Sequence, residues 1–219
     1  LVAFYQSHYH PSNAVFMTFG NEPAYNLQEQ FETLALAKFD GGETLYSKPE
    51  TRLSAPIEVT ETYAVDAEDL TDKTYHIISW LLPQASDIKT RLGMRLAEGV
   101  LLEDSASPLR HYLETCGYAQ STGPIMGVDD SNFEMTFFCG VQGSNPEHAE
   151  EFKQGVFKVL EEVASKPVDS QMVDAILHQI ELHQREINGD GMPYGLSLIL
   201  SGLSSAIHHS DPVHVWDVD

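Results

Sequence analysis

An alternating pattern along residues 132–142 constrains the fold of this 219-residue chain more than any other feature. The apolar residues at every second position are Phe133, Met135, Phe137, Cys139 and Val141. Alternate residues of a β-strand point to the same face of a sheet. One face of this strand is therefore predicted to be buried, as in an antiparallel sheet that helices cover on one side.

Three further segments have the composition of β-strands. Residues 57–65 alternate between apolar and polar side chains, as a half-buried strand does. Residues 73–82 are apolar on both faces, which is typical of a central strand. Residues 118–126 are predicted to form a strand that precedes the alternating one.

The segments between and after these strands have apolar residues every three or four positions, as amphipathic helices do. The predicted helices span approximately residues 87–103, 107–117, 145–165, 169–188 and 196–207. Ser107 and Pro108 are typical of a helix start, and Gly117 is typical of a helix end. The order β-β-α-α-β-β-α-α predicts an α+β fold with two layers, in which helices pack on one face of an antiparallel sheet.

The first 56 residues follow a different pattern. Residues 1–9 are predicted to be the end of a helix, residues 14–20 a short buried strand, and residues 24–39 a helix. Residues 41–56 are rich in Gly, Pro, Ser and charge and are predicted to be a linker. The chain does not begin with Met and ends without an evident closing element, so we expect a fragment of a longer protein.

The charge of the chain argues against nucleic acid as a partner. It has 33 acidic and 12 basic residues, a formal net charge of -21, and such a surface repels phosphate backbones. Cationic peptides and metal ions are better electrostatic matches. No apolar run reaches the roughly 18 residues that a membrane-spanning helix needs. Two cysteines are too few for a disulfide framework, which fits a reducing compartment.

The histidines are the candidate metal ligands. His178 and His183 flank Glu181 on a predicted helix, but an i, i+5 pair lies about 140° apart around the helix axis and cannot face one ion. We expect a solvated helix face there. His8 and His10 would share one side of an extended segment, whereas at a helix end they would interact with the last carbonyl groups. We favour the helix end.

The remaining candidates also lack a catalytic arrangement. His208 and His209, with His214, form a second weak cluster that allows adventitious metal binding. Cys116 is predicted to lie in the last turn of a helix, and Cys139 in the core. The residues alone predict no catalytic, cofactor-binding or metal site.

Four stretches, taken in order, resemble one family. "FYQSHYHPSNAVFMTFGN" at residues 4–21 resembles the F-Y-x-x-H-Y-x-P-x-N…G-[DN] segment of the pitrilysin/insulinase family of zinc metallopeptidases, in its presequence-protease branch. "KTYHIISWLLPQASD", "LLEDSASPLRHYLETCGYA" and "GMPYGLSLILSGLSSAIHHSDPV" are similar to later parts of the same family. The resemblance extends over nearly the whole chain.

The resemblance implies the domain organisation and the location of the chemistry. Residues 1–40 would be the last helix, strand and helix of the preceding catalytic domain, and residues 57–219 most of a non-catalytic second domain, truncated at its C-terminal end. The zinc ligands of the family and its general-base Glu belong to an H-x-x-E-H helix and a later Glu, which precede this segment. The resemblance therefore implies zinc in the intact parent and none in this chain, which we expect to be inactive alone.

The resemblance also implies partners and a role. The parent would degrade short unstructured peptides, and this domain would form part of a chamber wall. Its partners would be the rest of the parent and unfolded peptides, with no nucleic acid or membrane. We also expect strand 14–20 either to extend the sheet of the second domain or to mediate a homodimer of the fragment, because an apolar strand with unpaired edges promotes association.

Three points stay open at this stage. The location would be the cytoplasm of a bacterium, or the mitochondrial or plastid matrix of a eukaryote. One alternative is a non-catalytic binding or structural subunit, similar to those of processing peptidases, that lost its metal site. The other is an independent metal-binding protein that uses the His8/His10 or His208/His209 cluster.

Overall fold

The computed structural model describes residues 1–187 and 191–216, and the chain divides into two compact units. Unit 1 comprises Leu1–Lys48 and Gln184–Asp219, and unit 2 comprises Pro49–His183. The helices are α1 Val2–His8, α2 Ala24–Leu34, α3 Ile88–Leu102, α4 Pro108–Thr115, α5 Ala149–Ala164, α6 Ser170–Arg185 and α7 Tyr194–Ile207. None of the helices in the described residues is both long enough and apolar enough to cross a membrane.

Unit 2 contains an antiparallel sheet. Its strands are β1 Thr74–Gln84, β2 Ser121–Thr122, β3 Gly127–Asp129 and β4 Glu134–Ser144. The order is β1-β4-β2, and β3 pairs with β4 as well. Ile78 lies opposite Cys139 and Trp80 lies opposite Phe137, so these four side chains point to the same face.

Helices cover that face of the sheet and form the core. Leu109 and Leu113 on α4 and Val156 on α5 are buried against Cys139 and Val141 of β4. The opposite face, which we call the open sheet face, exposes Tyr75, Ile77 and Leu81 of β1. The predicted α+β fold with helices on one face of an antiparallel sheet is confirmed.

Local signals fix the ends of the helices in unit 2. The Asp87 side chain accepts a hydrogen bond from the Thr90 backbone N–H at 3.1 Å and so caps α3. Pro108 occupies the first turn of α4, and Gly117 follows that helix with φ +80, a left-handed conformation that suits glycine. These helix ends confirm the sequence prediction to within a residue or two.

Three predicted strands differ from the structure. Residues 14–19 form no strand, and Phe16 packs instead on Phe31 of α2 with ring centroids 5.3 Å apart. Residues 57–65 also form no strand. The strand predicted at 118–126 is reduced to β2 and the separate β3, because Gly123 and Pro124 interrupt it and Pro has no N–H to donate.

The position of β1 in the sheet also differs from the prediction. We expected residues 73–82 to form a central strand, yet β4 is central and β1 lies at the end of the strand order. The apolar residues of β1 are also not all buried, because one face of the sheet is exposed: Ile77 retains 47% of its exposure. Apolar composition alone shows neither how many strands pair with a strand nor whether both of its faces are covered.

Unit 1 is held by polar contacts and by its C-terminal segment. The Trp216 Nε1–H donates to the Leu198 carbonyl oxygen at 3.1 Å and to Ser201 Oγ at 2.9 Å, which fixes a 3₁₀-helix, Pro212–Trp216, against α7. The Leu45 N–H donates to Asn13 Oδ1 at 2.8 Å. The Gly-rich interruption before α7 begins at residues 188–190, which lie outside the described residues.

Candidate functional site

The His8–His10 segment is the end of a helix. Helix α1 ends at His8, whose ring stacks on Phe4 with centroids 4.0 Å apart. His10 begins a 3₁₀-helix at Pro11–Asn13, and its Nδ1 accepts the Ser12 backbone N–H at 3.1 Å. Local contacts thus explain both rings. The helix-end interpretation is confirmed, although no strand follows it.

The histidines of α6 lie on an exposed helix face, as predicted. His178 and His183 are both exposed, and His178 Nδ1 lies 4.0 Å from Glu181 Oε2. That pair is the ordinary i, i+3 contact of a solvated helix. The structure therefore does not bring these three residues together as a metal site.

The histidines that follow α7 are also separated by their contacts. His209 Nε2 lies 3.2 Å from the Leu45 carbonyl oxygen, and its ring lies 4.4 Å from Tyr46. His214 Nε2 lies 3.5 Å from Asp211 Oδ2. Desolvation, with a smaller effect of His209, lowers the pKa of His208 below its usual value of 6.5. A neutral imidazole is favoured at His208. The contacts of His209 and His214 are with different partners, so these histidines do not converge on one point where a metal ion could bind.

The two cysteines are not positioned as nucleophiles. Cys139 is fully buried in β4, and burial raises the pKa of its thiol to about 12. Cys116 follows α4, and its Sγ donates to the Leu113 carbonyl oxygen at 3.6 Å. The core position predicted for Cys139 is confirmed.

Residues 1–187 and 191–216 contain no group of three His, Cys, Asp or Glu side chains that could hold a metal ion. Structural and catalytic zinc sites need at least three protein ligands with nitrogen, sulfur or carboxylate donors. The described residues therefore offer no ligand set for a zinc ion, which the family resemblance places in the intact parent and not in this chain.

A cavity of about 410 Å³ lies between α3, α4 and α6. Arg95 lines it and is paired with Glu98 at 3.2 Å and with Asp130 at 3.1 Å. Glu98 Oε1 also accepts the Val128 backbone N–H at 3.2 Å, which ties α3 to β3. Because Arg95 and Glu98 are both engaged in contacts between elements of the fold, we interpret this cavity as a structural junction.

The open sheet face is the feature best suited to contact another molecule. Tyr75, Ile77 and Leu81 project from it with 43%, 47% and 39% of their exposure retained. Phe138 of β4 lies opposite Ser79 and adds a half-buried aromatic ring. Sequence reasoning missed this surface because it took the apolar residues on both faces of residues 73–82 as a sign that both faces are buried. The segment has no apolar/polar alternation that would have indicated an exposed face.

Comparison with known proteins identifies the family. The model of the peptidase M16 inactive domain matches residues 1–180. A mitochondrial presequence protease of Xenopus tropicalis is 29% identical over 221 residues, which cover 100% of this chain and 21% of that protein. Presequence protease 1, chloroplastic/mitochondrial, of Arabidopsis thaliana is 29% identical over 215 residues, which cover 95% of this chain and 20% of that protein.

A mitochondrial presequence protease of Mus musculus is 28% identical over 221 residues, covering 100% of this chain and 21% of that protein. The chain thus spans about a fifth of the length of the curated relatives it matches. The predicted similarity to presequence proteases is confirmed along the whole chain. The chain belongs to the peptidase M16 inactive-domain family.

Proposed function

We propose that this chain is the non-catalytic part of a larger zinc-dependent peptidase that degrades short, unstructured peptides. The family description supports the absence of catalysis here, and the relatives' names support the peptidase. Their roughly fivefold greater length supports a larger parent. In this proposal the zinc and its ligands belong to the parent, residues 1–40 to its catalytic domain, and residues 57–219 to its second domain.

The open sheet face carries the proposed role as a chamber wall. A sheet with helices on one face and exposed apolar side chains on the other offers a broad surface to an unfolded peptide. Tyr75, Ile77 and Leu81 supply that surface as exposed side chains spread along one strand. Such a wall holds peptides of varied sequence, and the net charge of -21 favours basic ones.

A photo-crosslinking experiment tests the chamber wall. A photoreactive amino acid replaces Ile77 on the open sheet face of the intact parent, and a labelled unstructured peptide is added. The matched control replaces Phe157, which is 39% exposed on the helix layer. We expect the peptide to crosslink at position 77 and not at position 157. Equal crosslinking at both positions would contradict the proposed wall.

Location and self-association are parts of the same proposal. The names of the relatives support the mitochondrial or plastid matrix if the source is eukaryotic, and the cytoplasm is proposed for a bacterial source. Self-association through residues 14–20 would use the exposed rings of Phe16 and Phe19 and not a strand. Substitution of both rings by Ser would then abolish a dimer formed through this segment, and sedimentation velocity would measure the loss.

A second candidate is a non-catalytic binding subunit, similar to those of processing peptidases, that lost its metal site. The absence of a metal-ligand group from the described residues favours it as much as the first candidate. The full gene separates the two: an upstream H-x-x-E-H motif supports a peptidase parent, and its absence supports the binding subunit.

A further inference from the structure

The apolar residues of the open sheet face form a row of limited length. Tyr75, Ile77 and Leu81 occupy outward positions of β1, and the exposed Ser79 lies between the last two. At about 3.3 Å per residue, the row from Tyr75 to Leu81 is about 20 Å long. An extended peptide of about six residues covers that length. Both ends of the row are occupied by residues from outside the sheet.

Arg52 bounds the row at its Leu81 end. A register shift interrupts the pairing of β1 with β4 just after Leu81. There the Arg52 guanidinium donates to the carbonyl oxygens of Leu81 at 2.7 Å and Leu82 at 2.9 Å. These bonds hold the Arg52 side chain, and the segment that carries it, at the end of the row.

A buried carboxylate strengthens this anchor. Glu134 lies two residues before Thr136, which is opposite Leu81, so the Glu134 side chain is on the open sheet face. It is nevertheless only 8% exposed, because it pairs with Arg52 at 2.7 Å and accepts the Glu50 backbone N–H at 2.6 Å. Residues 50–52 therefore cover this end of the face. The two carboxylates of Glu50 and Glu134 and the one guanidinium leave one formal negative charge here.

Tyr63 bounds the row at its other end. The Tyr63 hydroxyl donates to the carbonyl oxygen of Lys73, the residue before β1 begins. Its ring meets the ring of Tyr75 edge-on, with centroids 5.4 Å apart, which is a favoured arrangement of two aromatic rings. Tyr63 thus lies across the Tyr75 end of the row, whereas Ile77 and Ser79 at the centre stay exposed.

We infer that the open sheet face binds an extended peptide segment of about six residues whose apolar side chains alternate with polar ones, and that Arg52 and Tyr63 set the two ends of this site. This inference rests on the proposed chamber wall. Alternate side chains of an extended chain repeat about every 6.6 Å, which is also the spacing of the outward positions of β1. A cationic residue of the peptide at the Arg52 end complements the negative charge there.

Fluorescence anisotropy on the 219-residue chain tests this site with labelled peptides of defined length and pattern. In the reference peptide, Leu alternates with Ser over six residues and one Lys is added at an end. We expect it to bind about tenfold tighter than a four-residue peptide of the same pattern, and about tenfold tighter than a peptide of the same composition with its Leu residues adjacent. Extension of the pattern to ten residues should change binding by less than about threefold.

Two substitutions test the ends of the site. Tyr63→Ala opens one end, so the ten-residue peptide should bind this variant about fivefold tighter than the six-residue peptide does. Glu50→Gln removes an exposed carboxylate at the other end and should weaken binding of the reference peptide about threefold. Glu161→Gln, on an exposed position of α5, is the matched charge control and should leave binding unchanged.

The outcomes separate this inference from the chamber wall on which it rests. Binding that Ile77→Ser abolishes, but that depends neither on peptide length nor on the order of the Leu residues, overturns the inference and supports the wall. A Tyr63→Ala variant that does not favour the longer peptide also overturns it. Binding that Ile77→Ser leaves unchanged, or no binding of any peptide, contradicts both. Ile77 is 47% exposed, so we expect Ile77→Ser to stay folded, and circular dichroism checks this.

Discussion

Replacement of Leu113 by Ala tests the assignment of the two faces of the sheet. Leu113 is 1% exposed on α4 and packs in the core with Cys139 and Val141 of β4. Removing three carbon atoms from a fully buried position costs about 2.4 kcal/mol in transfer free energy. The cavity left against the rigid sheet raises the loss of unfolding free energy to about 3–4 kcal/mol.

Leu81→Ala is the matched control because it removes the same atoms from the open sheet face. Leu81 is already 39% exposed and leaves no closed cavity, so its loss is about 1.5 kcal/mol. Urea unfolding, followed by Trp80 fluorescence in a Trp216→Phe background, reports on unit 2 alone. If Leu81→Ala costs as much as Leu113→Ala, the helices do not define the buried face and the two-layer description is wrong.

Three further predictions follow from single residues. In the folded chain, a thiol reagent such as Ellman's reagent should modify Cys116 and leave Cys139 unmodified until urea is added, since Cys139 is buried and its pKa is raised to about 12. The imidazole of His208 should titrate below pH 6.5 by NMR, because its folded pKa is lowered by burial. Below about pH 6.5 the unfolded state then binds more protons than the folded state, so the free energy of unfolding of unit 1 rises as the pH rises to about 6.5. An NMR titration midpoint of His208 above pH 6.5 would contradict its burial. Gly140→Ala should destabilise unit 2 by about 1–3 kcal/mol, because a Cβ there would lie 2.7 Å from a β1 carbonyl oxygen. Gly93→Ala on an open helix face should instead stabilise the chain by roughly 1 kcal/mol, and thermal unfolding of both variants measures the difference.

The helices and the two long strands were predictable because their signals are local. The alternation that includes Met135, Cys139 and Val141 identifies a strand and its buried face, and all three residues are buried. Helix α3 matches its predicted span because Asp87 caps it and its apolar residues recur at helical spacing.

The failures involve information that is not local. Residues 57–65 have a strand pattern, but a strand also needs a partner to which its backbone groups bond. In the structure this segment is held by the side chains of Glu58 and Tyr63. The same limit applies to residues 14–20, where Phe16 packs on a helix. The position of β1 in the strand order depends on which other strands pair with its second edge. The sequence of a single segment does not contain that information.

The candidate surfaces were less predictable than the fold. Spacing was enough to reject His178 and His183 as a pair, because the geometry of a helix fixes their angular separation. The anchoring of Arg52 to Glu134 links residues 82 positions apart in the chain, and neither residue has a distinctive sequence context. The open sheet face likewise depends on which segments pack over β1, and the sequence of β1 alone does not encode this.

Zinc content and peptide cleavage, measured on the purified 219-residue chain, test the central claim most directly. The chain is dialysed against trace zinc, assayed for metal by mass spectrometry, and incubated with a fluorogenic basic peptide. The assignment to a non-catalytic domain predicts no stoichiometric zinc and no cleavage. Stoichiometric zinc with cleavage that a chelator abolishes would contradict it and would direct attention to the His8/His10 and His208/His209 pairs, whose Ala variants would then identify the ligands.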